Sequence, residues 1–188
     1  MTKLVILDRD GVINEDSDHH IRSPEDWIPI PESLSAIAKL THSGYIVAVA
    51  TNQSGIARGY FSLQVLNTMH EKMLNLVKAK GGRIDGLYFC PHGPDDHCHC
   101  RKPGTGLIEQ ALQDFNGNPQ DSWVVGDSLR DLQAGAKCGC KVAMVLTGKG
   151  LQTQAKLSEE PETLPSKKDM LVFNNLNSFV EALLSEGI

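Results

Sequence analysis

The chain has 188 residues, of which 40% are hydrophobic and 22% are charged. This length and composition exclude fibrous and wholly disordered proteins, and they predict a core that needs no disulfide bonds. The 18 basic and 23 acidic residues give a formal net charge of -5. Because the basic residues form no long run, we expect no nucleic-acid partner, although one local basic pocket could still hold a small anion.

The first apolar run, residues 3–7, is too short for a secretory signal or a membrane span because two aspartates follow it closely. We therefore expect a cytoplasmic protein that makes no contact with a membrane. In that compartment the five cysteines are expected to be thiols or metal ligands rather than disulfides.

Short apolar runs rich in Val, Ile and Leu alternate with segments whose apolar residues lie three or four positions apart. The runs predict buried strands at 3–7, 46–50, 84–89, 123–125, 142–146 and 171–173. The intervening segments predict helices at 31–43, 62–80, 106–115, 129–138 and 178–186. This alternation predicts an α/β fold, a Rossmann-like, doubly wound parallel sheet with helices on both faces.

Three polar stretches interrupt this pattern. Residues 14–29 predict a loop after the first strand, and residues 93–106 are too rich in Gly, Pro, His and Cys for an ordinary connection. Residues 152–169 contain two prolines and predict a polar surface excursion. No stretch marks a domain boundary, so we expect residues 1–188 to form a single domain.

Carboxylates follow two of the predicted strands. Asp8 and Asp10 come directly after the first strand, with Gly11 allowing a tight turn, and Asp127 and Asp131 follow the strand at 123–125. Ligands bind at the carboxyl edge of such a sheet, where these oxygens could converge on one hard cation. An Asx turn after the first strand and a carboxylate at a helix N-terminus are the structural alternatives.

The strand at 46–50 leads into a run of hydrogen-bond donors, and a lysine stands in the long loop. The donors are Thr51, Asn52, Gln53 and Ser54, and their hydroxyl, amide and backbone N–H groups suit phosphate oxygens, although a simple capped turn would look similar. Lys102 follows Arg101 and could supply a positive charge to the same edge.

The motif C-x-H-x5-C-x-C supplies three thiolates and an imidazole from Cys90, His92, Cys98 and Cys100. This is the number and kind of ligand that a closed, structural zinc site requires. We expect the ion to hold the zinc loop, about residues 90–102, so that Arg101 and Lys102 point into the site. A second C-x-C, Cys138 and Cys140, has no further ligands nearby and is interpreted as core or turn residues.

Taken in chain order, these strand-end residues resemble the four motifs of the haloacid dehalogenase (HAD) superfamily of phosphatases, over about residues 3–150. The resemblance implies that Asp8 is the nucleophile and that Asp10, held protonated, is the general acid and base. It implies that Thr51 and Lys102 clamp the phosphoryl group, with Asp127 and Asp131 as the fourth motif. Magnesium would be held by Asp8, Asp10 and Asp127.

The zinc loop and the run TNQSGIARGYF resemble the zinc-containing, histidinol-phosphatase-like branch of this superfamily, and within it the heptose 1,7-bisphosphate 7-phosphatase family. The resemblance implies hydrolysis of the C7 phosphate of D-glycero-D-manno-heptose 1,7-bisphosphate, in the synthesis of nucleotide-activated heptose for the lipopolysaccharide core. Two alternatives stay open: a histidinol-phosphate phosphatase, and a non-catalytic, zinc-stabilised metal-binding module.

The same resemblance implies a monomer with a minimal cap, in which the loop at 14–29 and the zinc loop narrow the entrance for a small phosphorylated sugar. Substrate contacts are expected from the cap loop, from two arginines and from the donor run. Asp16 and His19 would approach from the cap loop, and Arg58 and Arg101 would meet the second phosphate or the sugar hydroxyls. The remaining expected contacts are Asn52, Gln53 and Ser54. Two departures from the family pattern, Ser128 in place of a lysine and RKPGTG without a second proline, concern substrate preference.

Overall fold

The computed structural model describes residues 2–159, 170–185 and 187–188. Within these residues the strands are β1 (Leu4–Leu7), β2 (Ile46–Asn52), β3 (Gly86–Cys90), β4 (Trp123–Gly126), β5 (Lys141–Val145) and β6 (Leu171–Phe173). They form one sheet in the order β3-β2-β1-β4-β5-β6, and every pair is parallel. The predicted doubly wound parallel sheet is confirmed.

Helices cover both faces of this sheet. Their bounds are α1 (Pro31–His42), α2 (Leu63–Ala79), α3 (Gly106–Asp114), α4 (Leu129–Lys137), α5 (Gly150–Glu159) and α6 (Leu176–Ser185). The apolar side chains of α1, α2 and α6 pack in one core cluster, and those of α3, α4 and α5 pack in a second one. Strand β1 lies between the two clusters and is buried along its whole length, because LVIL has apolar side chains on both faces.

The prediction of a polar excursion at 152–169 is wrong for its first part. Residues 150–159 form α5 instead, because Thr153 and Leu157 turn one side of this polar segment into the core. The Thr153 hydroxyl also donates a hydrogen bond to the Asp127 carbonyl at 2.8 Å, which ties the helix to the end of β4. The excursion predicted for residues 160–169 lies outside the described residues.

The loop at 14–29 contains no helix or strand, as the sequence predicts, but it is fixed at several points. A β-bridge between Asn14 and Pro29 closes its base, and Trp27 is fully buried. From α2, the Lys72 ammonium donates to the carbonyls of Pro24 and Trp27 at 2.6 and 2.8 Å. This cap loop is therefore anchored on the body of the fold.

None of the helices described for this chain combines the length and the apolar character that a membrane crossing requires.

Candidate active site

A cavity of about 270 Å³ opens at the carboxyl edge of the sheet, where β1, β2 and β4 end. The cap loop and the loop before α3 form its walls. Charged side chains of both signs line it: Asp8, Asp10, Asp16, Asp18, Asp127, Asp131, Arg58, Arg101, Lys102, Arg130 and Lys149. The sheet topology therefore brings all four predicted motifs to one place.

The Lys102 ammonium is buried at the floor of this cavity, where it has three oxygen partners. It lies 3.0 Å from Asp8 Oδ1 and 2.6 Å from Asp131 Oδ1, and it donates to the Ala50 carbonyl at 2.6 Å. Burial alone would lower the pKa of Lys102, but the Asp131 and Asp8 carboxylates outweigh it and raise the pKa. Lys102 is thus held as a cation directly beside the carboxylate predicted to be the nucleophile.

Asp8, Asp127 and Asp131 form a carboxylate cluster in which one oxygen of each lies within 4.8 Å of the others. Burial and then the Asp8 and Asp131 charges raise the pKa of Asp127 to about 8. Burial and then Asp131 also raise the pKa of Asp8 to about 6. Such crowded carboxylates are stabilised by a cation, and hard oxygen ligands suit Mg²⁺.

The magnesium ligand set of Asp8, Asp10 and Asp127 stays a prediction, but the Asp10 carboxylate lies outside this cluster and the Asp131 carboxylate belongs to it. Asp10 turns away to its own donors: Arg9 Nε and Nη2, each at 3.0 Å, Asn14 Nδ2 at 2.9 Å and Gln53 Nε2 at 3.0 Å. Asp131 lies in the first turn of α4, where its carboxylate accepts a hydrogen bond from the Ser128 N–H at 3.1 Å and also contacts Lys102.

These donors also change the expected protonation of Asp10. Burial alone would raise the pKa of Asp10, but the Arg9 guanidinium and the hydrogen bonds from Asn14 and Gln53 outweigh it and lower the pKa. The expectation that Asp10 is held protonated is therefore wrong for the resting protein, where it is the ionised partner of a buried arginine. The two aspartates do differ in proton affinity, but Asp8 has the higher one in this structure.

Two glycines leave room for the Asp127 carboxylate. An added Cβ at Gly11 would lie 2.1 Å from Asp127 Oδ2, and one at Gly148 would lie 2.2 Å from the same atom. Both glycines have positive φ angles, +82° and +56°. The backbone N–H of Lys149 donates to Asp127 Oδ2 at 2.7 Å and fixes the carboxylate between them. Glycine is required at both positions by space and by backbone conformation.

The predicted donors at the end of β2 and directly after it make hydrogen bonds mainly to protein groups. Thr51 is buried and accepts a hydrogen bond from Gln53 Nε2 at 2.9 Å, so the Gln53 amide joins Thr51 to Asp10. The Asn52 amide donates to the Lys102 carbonyl and accepts from the Lys102 N–H, both at 3.0 Å. These two hydrogen bonds fix the backbone of Lys102, and the role of Asn52 as a substrate contact stays a prediction.

Most of the residues predicted to contact the substrate line this cavity. Asp16, Ser54, Arg58 and Arg101 line it, together with Asn52 and Gln53. His19 stays a predicted substrate contact: it does not line this cavity, whereas His20 does, and both histidines line a neighbouring, more open groove. His20 has a positive φ of 63°.

Sequence reasoning missed two basic residues of the rim. Arg130 and Lys149 both line the cavity, and the Lys149 ammonium lies 3.0 Å from Asp16 Oδ2. Each stands four residues past the end of a strand, Arg130 after β4 and Lys149 after β5, so nearness to the carboxyl edge of the sheet was the available signal.

The four residues of the cysteine and histidine motif meet in one cluster, the Cys/His cluster: Cys90, His92, Cys98 and Cys100. The three sulfurs lie 3.2, 3.5 and 3.6 Å apart, and His92 Nδ1 lies 3.3 and 3.5 Å from two of them. Metal–ligand bonds of about 2.0 and 2.3 Å in a tetrahedron require separations close to these. The cluster can therefore hold a tetrahedral metal ion.

The Cys/His cluster also joins β3 to the loop that ends at Lys102. The Arg101 guanidinium donates to the His92 carbonyl at 3.1 Å, so the residue before Lys102 is fixed on the same loop. Cys138 and Cys140 lie outside the cluster among apolar residues, as the sequence predicts.

Comparison with known proteins gives relatives over nearly the whole chain. The chain is 51% identical over 185 residues to D-glycero-beta-D-manno-heptose-1,7-bisphosphate 7-phosphatase of Neisseria meningitidis serogroup A, covering 98% of this chain and 96% of that protein. The identity to the enzyme of the same name from Pseudomonas aeruginosa is 47%, with coverage of 96% and 97%. The chain belongs to this phosphatase family.

Structural comparison agrees with membership of the heptose bisphosphate phosphatase family. The crystal structure of D,D-heptose 1,7-bisphosphate phosphatase from B. bronchiseptica, complexed with magnesium and phosphate, superimposes with a TM-score of 0.92 at 45% identity, covering 98% of this chain and 99% of that chain. A family model described as HAD-hydrolase-like matches residues 99–177. L-2-haloacid dehalogenase from Xanthobacter autotrophicus, with a TM-score of 0.61 at 12% identity over 98% of this chain and 99% of that chain, shares the fold.

Proposed function

We propose that the protein removes the C7 phosphate from D-glycero-β-D-manno-heptose 1,7-bisphosphate, through an aspartyl-phosphate on Asp8. The observation that carries the proposal is the position of Asp8, at the end of β1, beside the Lys102 ammonium and in one cluster with Asp127. Membership of the heptose bisphosphate phosphatase family supports the substrate, and the relatives' names specify the β anomer.

In the first step an Asp8 carboxylate oxygen attacks phosphorus, and the bond between phosphorus and the C7 oxygen breaks. The electron pair of that bond leaves with the C7 oxygen, which takes a proton and becomes a hydroxyl group. Lys102 lies beside the attacking carboxylate and neutralises charge that gathers on the phosphoryl oxygens. Thr51, in the same wall of the cavity, is the candidate hydroxyl clamp.

Asp10 supplies and recovers the proton in this proposal. It lines the cavity two residues after Asp8, and its side chain is 23% exposed on that side. An arriving phosphate brings negative charge next to Asp10, which favours the protonated carboxyl against the pull of Arg9. In the second step, Asp10 takes a proton from the water that attacks phosphorus and frees Asp8.

The carboxylates fit a magnesium ion. Asp8 and Asp127, with Asp131 beside them, offer the hard oxygen ligands that Mg²⁺ requires, and their crowding disfavours the ionised state without a cation. When bound, the ion neutralises phosphoryl charge and holds the nucleophile ionised. The ligands proposed from the sequence resemblance are Asp8, Asp10 and Asp127.

We propose that the Cys/His cluster holds a structural zinc ion. Three thiols and an imidazole at tetrahedral separations are the ligand set of closed zinc sites, with no position left for substrate. The ligands themselves bring β3 and the Lys102 loop together, which is a role in positioning Lys102.

The cavity suits a small substrate with two phosphates. The two rim arginines, Arg58 and Arg101, can meet a second phosphate in bidentate fashion while the first phosphate lies at Asp8. We further propose that the protein acts as a cytoplasmic monomer on this sugar, in the synthesis of nucleotide-activated heptose for the lipopolysaccharide core.

Phosphate release from the β and α anomers of the heptose bisphosphate and from histidinol phosphate, measured side by side in magnesium, tests the proposal. We expect the highest kcat/KM for the β anomer. Preference for histidinol phosphate would identify the second candidate, and no hydrolysis of any phosphate monoester would leave a metal-binding module.

A further inference from the structure

A buried contact beneath Asp10 joins the loop after β1 to helix α2. Arg9 is fully buried between the two motif aspartates. Its Nε and Nη2 atoms each donate to the Asp10 carboxylate at 3.0 Å, and its Nη1 atom lies 3.3 Å from His70 Nε2. The planar guanidinium thus has the acid on one side and the imidazole on the other.

His70 is built to accept this hydrogen bond. It lies in α2 with 4% of its surface exposed, and its ring lies against Phe89 with 5.9 Å between the ring centroids. Burial, and then the Arg9 guanidinium, lower the pKa of His70 to about 4, so the ring is neutral. Because a guanidinium can only donate, Nε2 carries the lone pair in this contact.

We propose that His70 is a positioning residue for Asp10 and acts through Arg9. The bidentate contact with Arg9 sets the plane of the Asp10 carboxylate. On the opposite side of the guanidinium, His70 Nε2 accepts from Nη1 of Arg9 and so fixes the orientation of the guanidinium plane. The inference rests on the proposed function, in which Asp10 gives a proton to the leaving C7 oxygen, a transfer that depends on orientation.

The effect of His70 is expected to be partial. Asn14 and Gln53 also donate to Asp10, at 2.9 and 3.0 Å, and they remain when the imidazole is lost. A general acid accelerates such reactions about 10²–10⁴-fold. An acid that is still present but poorly oriented should therefore lower kcat/KM by only about tenfold.

The test compares His70→Leu, which removes the acceptor, with His70→Gln, whose side-chain oxygen can occupy the place of Nε2. Each is assayed on the heptose bisphosphate and on 4-nitrophenyl phosphate, whose leaving group departs without a proton. The kcat/KM values are compared because they cover only the steps up to departure of the leaving group. Glu71→Gln, an exposed neighbour on α2, is the control.

We expect His70→Leu to lower kcat/KM about tenfold on the sugar phosphate and less than about twofold on 4-nitrophenyl phosphate, and His70→Gln to restore most of the loss. Equal losses on both substrates, no loss, or no rescue by glutamine would overturn the proposal. His70→Asn, whose shorter amide does not reach Arg9, replaces His70→Leu if the leucine variant does not fold.

A wild-type protein that does not hydrolyse the heptose bisphosphate would contradict the proposed function alone. The His70 comparison then uses whichever sugar phosphate the wild type does hydrolyse. A wild type that is active, with leucine and glutamine variants that behave alike, would contradict only the role of His70.

Discussion

Three clustered carboxylates and the Lys102 ammonium lie at the floor of the cavity. One positive charge does not balance the charges of three carboxylates. Asp8 and Asp131 contact the ammonium directly, and Asp127 adds a third negative charge to the same cluster. Burial, and then repulsion from Asp8 and Asp131, raise the pKa of Asp127 to about 8. A divalent ion is the simplest way to balance the site while leaving Asp8 ionised for attack.

The space around Asp127 gives a prediction at the scale of one residue. Gly11→Ala should abolish most activity and weaken activation by magnesium, because the new Cβ would lie 2.1 Å from Asp127 Oδ2. Gly44→Ala is a matched control, with a φ of +79° but nothing within 4 Å of its Cβ. Both variants should lose about 1–2 kcal/mol of unfolding free energy from backbone strain. Equal activity of the two variants over a magnesium titration would contradict the argument.

The amide of Asn52 gives a second prediction at this scale. Asn52→Ala removes two hydrogen bonds to the backbone of Lys102, so the ammonium should lose its position beside Asp8. We expect kcat to fall about 10-fold to 100-fold with a smaller change in KM. Asn177→Ala, at a half-buried asparagine on α6 that bonds Lys39 and Glu181 and does not line the cavity, should leave kcat unchanged. A change in KM alone for Asn52→Ala would instead support direct substrate binding.

At this scale the sequence predicts which residues meet, but not all of their partners. Asp8, Thr51, Lys102 and Asp127 could be predicted because each directly follows a strand or stands in a motif. His70 could not, since 61 positions separate it from Arg9 and its helix pattern predicts only a core residue. Side-chain rotation, which moves Asp10 out of the carboxylate cluster, likewise has no signature in the sequence.

At the scale of elements, the proposed role of the zinc loop is to position Lys102 in the cavity. Its ligands come from the end of β3 and from the loop that Arg101 and Lys102 close. The element is short and mostly polar, so the proposed zinc ion would be a main source of its stability.

Cys98→Ser should reduce the zinc content, lower the melting temperature and lower kcat, because the loop would no longer hold Lys102. Cys138→Ser is the matched control, since Cys138 lies outside the cluster. Its zinc content, measured by atomic absorption, should equal that of the wild type. Full zinc occupancy and unchanged melting in Cys98→Ser would contradict this role of the loop.

Helix α5 shows where prediction of elements from sequence fails. Strands such as β1 and β4 could be predicted from uninterrupted apolar runs, whereas α5 is polar on most of its surface and turns only a few residues inward. Its stability depends on tertiary contacts, among them the bond from Thr153 to the end of β4, which a local pattern cannot show.

At the scale of the whole molecule, the sheet order places β1 between β2 and β4, so the nucleophile has a functional strand end on either side. The parallel direction of all six strands puts these ends at one edge. The fold therefore brings several negative charges together at this edge. Because their repulsion opposes folding, the stability of the protein should depend on pH and on bound cations.

The pKa of Asp127 in the folded protein, about 8, lies above the 3.8 of an ordinary aspartate. The folded state therefore binds a proton below about pH 8 that the unfolded state does not bind until about pH 4. In magnesium-free buffer that leaves zinc bound, the melting temperature should rise by at least about 2 °C as the pH falls from about 8.5 to about 6.5. Magnesium should add stability mainly at the higher pH.

Asp127→Asn should remove both effects, because its amide neither titrates nor repels Asp8. A wild-type melting temperature that is constant or falls over this pH range, or an asparagine variant with the same pH dependence as the wild type, would contradict the charge balance described for the cluster.

Asp8 is the proposed nucleophile and would carry the phosphoryl group between the two steps. The most direct measurement is mass spectrometry of the peptide that contains Asp8, after turnover of the heptose bisphosphate in magnesium and a rapid acid quench. We predict one added phosphoryl group on Asp8 in the wild type, and none in Asp8→Asn, which should also be inactive. Phosphate on another residue, or steady hydrolysis by Asp8→Asn, would contradict the account.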